Sequence, residues 1–283
     1  VGLVLALAAA GCGSDGGSGT AGPPTSEAAP ASTVAALPAV PGIAAEAVQQ
    51  RTDAAIGGQV QVRITDTGAA PFTVTAVQLD TPGFGSLPAT AMTAGYAPGR
   101  TIDLPTPFGA VDCSVGVDPV GARVSVLRPD GTAEQLLVPL TGDTMAQVHE
   151  AACAVEAVLA VVDIGVEDLA DAGQTMTADV VLTRRTGDEP VEIARLGGSV
   201  VLEPVPDAVE LPVTLAPGER ELRIPVTFDA ARCDPHALAE TKKPFVFPLA
   251  VIVGDGGSVP VPLPLDDGQK RQLEELLARA CTG

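Results

Sequence analysis

The feature that most constrains the fold is that the chain repeats itself. Thr67-Gly68, Pro71 and the alternating run Phe72-Thr73-Val74-Thr75-Ala76-Val77 return as Thr186-Gly187, Pro190 and Val191-Glu192-Ile193-Ala194, at an offset of 119 (187 − 68 = 119). Ala97-Pro98-Gly99-Arg100 returns as Ala216-Pro217-Gly218-Glu219 at the same offset. Each Ala-Pro-Gly opens a short strand-like run, Thr101 to Pro105 or Glu221 to Pro225, which leads through Phe108 or Phe228 to Cys113 or Cys233. Beyond the cysteine, Asp130-Gly131 corresponds to Asp255-Gly256 and Leu137 to Leu140 corresponds to Leu263 to Leu265, before a helical stretch ending in Cys153 or Cys281. An ordered set of such matches implies one structural unit built twice.

The cysteines follow the repeat. Four remain once Cys12 is set aside, and four allow three connectivities. The repeat singles out Cys113–Cys153 and Cys233–Cys281, closing loops of similar length (153 − 113 = 40; 281 − 233 = 48). A metal site is the competing use of these thiols. It is disfavoured because there is no Cys-x-x-Cys pair and only His149 and His236 could assist.

Period-two patterning dominates the rest. Gln59 to Ile64 alternates polar and apolar, Arg123 to Leu127 continues the pattern, and Val246 to Val253 reads as a more fully buried strand. Asp-Gly between apolar runs signals a hairpin whose type I′ turn needs positive φ at both residues. Aromatic residues make up only 2% of the chain, so the cores must be aliphatic. Many short strands with regular turns predict a mostly β protein: two tandem immunoglobulin-like antiparallel β-sandwich modules, residues 56–154 and 155–283. Each module should end in a short disulfide-stapled helix. In the last helix Leu273, Leu276, Leu277 and Ala280 form one apolar stripe, with Asp266 or Asp267 placed to cap it; in the first, Asp143 is the cap and Met145 and Val148 the buried side. The connection between modules falls near Ala154 to Glu156.

The start of the chain has a different character. Val1 to Ala10 is an apolar run, too short to span a bilayer but of signal-sequence length, and it reads as the later part of a signal. Ala9-Ala10-Gly11-Cys12 resembles a bacterial lipobox, although the usual Leu three places before the cysteine is missing; a plain signal peptide with an incidental cysteine is the alternative. Residues 1–12 are therefore assigned to a signal remnant and lipobox, with lipidation at Cys12. Residues 13–55, rich in Gly, Ser, Pro and Ala, are assigned to a flexible tether that cannot offset its own ordering entropy.

With its lipobox-like start, spacer and composition, the chain resembles the uncharacterised secreted lipoproteins of high-GC Gram-positive (actinobacterial) bacteria. The resemblance implies an exported protein on the outer face of the cytoplasmic membrane, anchored through lipid on Cys12. It implies no activity.

A formal net charge of −19 repels phosphate backbones and makes nucleic acid an improbable partner. No motif for nucleophilic, metal or nucleotide chemistry is present, so no catalytic residue, metal or cofactor is assigned. His149 reads as an exposed helix residue and His236 as a surface loop residue. Asp255-Gly256-Gly257 and Asp266-Asp267-Gly268 read as turn and cap residues rather than calcium ligands. The basic pairs Arg184-Arg185, Lys242-Lys243 and Lys270-Arg271 read as solvated charge, with recognition of an acidic wall polymer as the sharper reading. The expected role is a non-enzymatic binding or scaffolding module for an envelope protein or wall polymer. Its candidate contact loops are Pro82, Gly83, Phe84, Gly85 and Ser86, and Pro204, Val205, Pro206 and Asp207. An envelope enzyme with a carboxylate site and a purely structural spacer are the alternatives.

Overall fold

The structure is a computed structural model that describes residues 35–281. The signal remnant, Cys12 and the tether up to residue 34 lie outside the described residues.

The protein is mostly β. In the first half the elements are β1 (Ile43–Val48), α1 (Arg51–Ile56), β2 (Gln59–Asp66), β3 (Phe72–Asp80), β4 (Thr90–Tyr96), β5 (Thr101–Pro107), β6 (Gly121–Leu127) and β7 (Ala133–Thr141). They form one seven-stranded sheet in the order β4-β3-β6-β7-β1-β2-β5. All its pairings are antiparallel except β1 with β7, where Ala45 and Glu46 run parallel to Leu140 and Thr141. That short parallel join turns what would be two layers into a sheet curled nearly into a barrel.

The helix α2 (Thr144–Val161) leads to β8 (Val162–Asp171), β9 (Met176–Arg184), β10 (Val191–Leu196), β11 (Leu202–Pro206), β12 (Val213–Leu215), β13 (Glu221–Ala230), α3 (Pro235–Glu240), β14 (Pro248–Val253), β15 (Val259–Pro262) and α4 (Asp267–Cys281). Here the strands stay in two four-stranded sheets, β12-β10-β14-β15 and β11-β13-β9-β8.

The repeat read from the sequence is written into the strand pairing. Phe72 faces Tyr96 and Val74 faces Val126; at the corresponding positions Val191 faces Leu215 and Ile193 faces Val251. A register shift between Val74 and Ala76 recurs between Ile193 and Arg195. Val62 faces Leu104 as Val180 faces Ile224, and Ala45 faces Ile64 as Ile164 faces Leu182. Because side chains alternate with period two, equal register keeps the same positions pointing inward in both halves. The turns at Gly99 and Gly218 share a left-handed backbone (φ 80° and 81°), which explains the glycine in each Ala-Pro-Gly.

Each half encloses its own core, and both are aliphatic. The first is built on Val60, Val62, Ile64, Val74, Val124 and Val126, the second on Val180, Leu182, Ile193, Leu202, Leu249 and Val251. The disulfides are Cys113–Cys153 and Cys233–Cys281, as the repeat requires, and both belong to an oxidising compartment. No helix among the described residues is long and apolar enough to cross a membrane.

Several sequence expectations are corrected. The tether does not extend to residue 55: β1 lies within it, and Ile43, Ala45 and Ala47 are buried in the first core. An alanine-rich run looks like spacer in composition, yet alternate small side chains are what a tightly covered strand needs. The first helix is not short and does not end at Cys153. It continues through the supposed linker to Val161, because Val155, Val158 and Leu159 follow at helical spacing and pack on the second core. Asp143 stands before this helix but caps no backbone amide; its carboxylate accepts instead from Gln147 Nε2 at 2.7 Å. In α4 the cap is Asp266, whose Oδ1 accepts from Gln269 N at 2.7 Å while Gln269 Oε1 accepts from Asp266 N. The Asp-Gly hairpins fall where expected, but only glycines take positive φ: Gly131 in one and Gly254 in the other. These are therefore not type I′ turns. The strand read from Val246 starts at Pro248 and alternates, since one of its faces is only half covered.

Two outcomes follow from this packing. Replacing Cys233 and Cys281 by serine should lower the unfolding free energy by roughly 4 kcal/mol, the chain-entropy value for a loop of this size, measured by urea denaturation. Ala157→Pro, on the exposed side of α2, should cost about 3 kcal/mol or more by removing a helical hydrogen bond between the two cores.

Candidate functional site

The expected contact loops are not free loops. Gly83 and Phe84 are buried; Phe84 stacks edge-on against Phe108 at 4.9 Å and against the His149 ring at 5.7 Å. A side chain at Gly83 would meet His149 Cδ2 at 2.9 Å, so the glycine is there to let the helix approach. Thr81 Oγ1 hydrogen-bonds Val117 O beneath it. His149 is accordingly half-buried, with Nε2 3.0 Å from Asp112 O, and is not an exposed helix residue. Pro82, Gly85 and Ser86 remain exposed. Pro204, Val205 and Pro206 are not a loop either. They belong to β11, an edge strand whose prolines cannot donate to a further strand. Asp207 accepts from Thr227 Oγ1 at 2.7 Å. His236 is exposed as expected, but lies in the helix α3.

Several carboxylates are committed to partners. Asp53 is buried on α1 and accepts from Gln50 N at 2.8 Å, Gln59 Nε2 at 2.8 Å and Gln61 Nε2 at 2.6 Å. Three neutral donors are what a buried carboxylate needs when no cation is present. On the same sheet Arg63 bridges Asp103 and Glu46, its Nε 2.6 Å from Asp103 Oδ1. Hydrogen bonding to Arg63 holds the Asp103 carboxyl below the usual range. In the second half Arg223 bridges Glu221, Glu167 and Asp179. Its position corresponds to Asp103, but Val181 and Gly165 stand where the first half has Arg63 and Glu46, so the second cluster is built from different neighbours. Among the described residues no group of three or more His, Cys, Asp or Glu is placed to hold a metal ion.

The basic pairs divide. Arg184 is a structural clamp whose guanidinium donates to four carbonyls, those of Glu219, Glu189, Leu215 and Ala216. Lys270 pairs with Asp267 at 3.4 Å. Lys242 and Lys243 form no ion pair or hydrogen bond among the described residues. They line a shallow hollow of about 580 Å³ together with Val200, Val246 and Pro248. Val200 and Val246 are 49% and 37% exposed and lie together in this one hollow.

This hollow lies where the two halves part company. The offset between them is 120 at the cysteines (233 − 113 = 120) and 125 at the following hairpin (255 − 130 = 125). The second half has thus gained about five residues between Cys233 and β14, the stretch that holds α3 and the lysines. The insertion is anchored at both ends. Cys233 is tied to α4, and Phe247 is fully buried against Phe228 at 5.3 Å between ring centroids. Asp234 caps α3, its Oδ1 accepting from Ala237 N at 2.9 Å, and that bond draws its carboxyl below the ordinary range.

No protein-family model matches the chain, and no curated protein does. Among solved structures it is similar at a low level to red sea bream transglutaminase (12% identity, TM-score 0.21), covering 80% of this chain and 32% of that one. It is also similar to the YadV chaperone (14% identity, TM-score 0.21), covering 79% of this chain and 100% of that one. The chain spans about a third of the transglutaminase.

The pairing of Asp103 sets a pH dependence. Its folded pKa is depressed, so its contribution is complete above the unfolded value of about 4 and is lost as pH falls through the folded value. Asp103→Asn should therefore be less stable than the wild type at pH 7. That difference should shrink below pH of about 4, read as urea midpoints across pH.

Proposed function

We propose that the protein is an exported lipoprotein held by lipid on Cys12 at the outer face of the cytoplasmic membrane. Its two halves act there as tandem immunoglobulin-like modules, a non-enzymatic binding or scaffolding unit for another envelope component. The observation that carries this reading is the duplicated framework: two disulfide-closed β units share one strand register and one helix, and they differ in a surface insertion. Frameworks of this kind hold a recognition surface on a rigid scaffold.

The strand order supports the immunoglobulin-like assignment. In the constant-type sandwich the first, second, fourth and fifth strands form one layer and the third, sixth and seventh the other. β1-β2-β5 and β3-β6-β7 follow that division, and β4 departs from it by pairing with β3. The lipid anchor rests on the lipobox-like Ala9-Ala10-Gly11-Cys12, and the exported location on the two disulfides.

Two experiments test the reading. Metabolic labelling with a clickable fatty acid should mark the wild type and leave Cys12→Ala unlabelled. Crosslinking of the tagged protein in the cells that make it, followed by mass spectrometry, should recover one dominant envelope partner. Recovery of background proteins alone would count against a binding role.

A further inference from the structure

We infer that the Lys242–Lys243 hollow is a docking site for an acidic peptide segment that carries an aliphatic side chain. The inference rests on the binding role proposed above and names the chemistry of the partner. Three observations converge. The hollow sits in the insertion that distinguishes the second half from the first, on a loop braced at Cys233 and at Phe247. Its lining includes Val200 and Val246, exposed aliphatic side chains that a partner's aliphatic group would take out of water. Its lining also includes two adjacent lysines with no ion pair among the described residues, in a chain whose net charge is −19.

The charge arithmetic favours an anionic occupant. Over most of its surface this protein repels acids. An acidic partner is therefore turned away from other faces and admitted where the lysines stand, which gives orientation as well as affinity. Glu240 also lines the hollow, so the local balance is one positive charge in excess. Such a surface suits a segment with spaced rather than continuous acids. The occupant is a peptide rather than a wall polysaccharide because the apolar lining is aliphatic, from Val200, Val246 and Pro248. None of the residues lining the hollow is aromatic, and so none offers the flat face on which a sugar ring stacks.

The test uses the full-length protein in detergent and a fluorescein-labelled ten-residue probe of alternating Glu and Gly around a central Leu. Fluorescence anisotropy at low salt should show saturable binding that weakens as salt is raised past about 0.3 M, where charges more than a few ångströms apart are screened. Lys242→Glu with Lys243→Glu should weaken binding about tenfold or more, and so should replacing the probe's Leu by Gly. Lys270→Glu, on α4 and outside the hollow, should bind as the wild type does. Circular dichroism confirms that each variant is folded, and Val200→Asp, which leaves the lysines in place, should repeat the loss.

Binding that is unchanged in the double lysine variant and in Val200→Asp would overturn the proposal. So would absence of binding at millimolar probe, or preferential binding of poly(glycerol phosphate) over the peptide. Crosslinking in cells separates this inference from the broader one. A partner captured equally well by the double lysine variant leaves the binding role standing and removes this hollow from it, whereas no captured partner for the wild type removes both.

Discussion

The arrangement depends on α2 belonging to two cores at once. Met145 and Val148 near its start pack into the first half, and Val155, Val158, Leu159 and Val161 near its end pack into the second. A helix of this length spans about 27 Å, and no break in it separates the two sets of contacts. A flexible linker would leave each half free to reorient. A helix with apolar residues committed at both ends does not, because rotating one half would drag buried side chains into water. Cys153 sits between these commitments and ties the middle of the helix to the loop after β5. The shared helix is the constraint that ties the two halves of a duplicated sequence together, and any surface on the second half inherits its orientation from it.

Much of this was legible in the sequence. The offset between Gly68 and Gly187 located equivalent strands, and the cysteine pairing followed from it without geometry. Both disulfides and the matched registers agree with that reading. What could not be read was how apolar residues are shared. Val155, Val158 and Leu159 have helical spacing, but they follow a cysteine that already closes a unit, so the sequence reads as a connection near Ala154 to Glu156 and then a second β module. The nearly closed sheet of the first half was equally hidden. It arises from the parallel contact of β1 with β7, strands almost a hundred residues apart in sequence, and no local pattern encodes such a contact.

The surface was less legible than the core. Phe84 stood in a Gly- and Pro-rich stretch and was taken for a loop tip, yet it fills the space between Phe108 and His149. Glycines there serve close approach rather than exposure. The lysine pair carried no motif. Its distinction is the loss of repeat correspondence between Cys233 and Asp255, a signal available in the sequence once the offset is followed past the cysteine. Where two copies keep one framework, the place where they cease to align is the informative one.

Asp66 and Arg184 show what such divergence means for assembly. Both end the second strand of their half, and each donates its backbone amide to the corresponding carbonyl, Arg100 O or Arg220 O. Their side chains are opposite: Asp66 is buried and accepts from Gly68 N, whereas Arg184 fills its turn by donating to four carbonyls. A polypeptide that encodes the same ladder twice runs the risk of exchanging strands between its copies, or between neighbouring molecules during synthesis. Were β2 to take the place of β9, the Asp66 carboxylate would face carbonyl oxygens where a guanidinium belongs, an unfavourable contact that counts against the exchange. One charge inversion thus gives each strand an address.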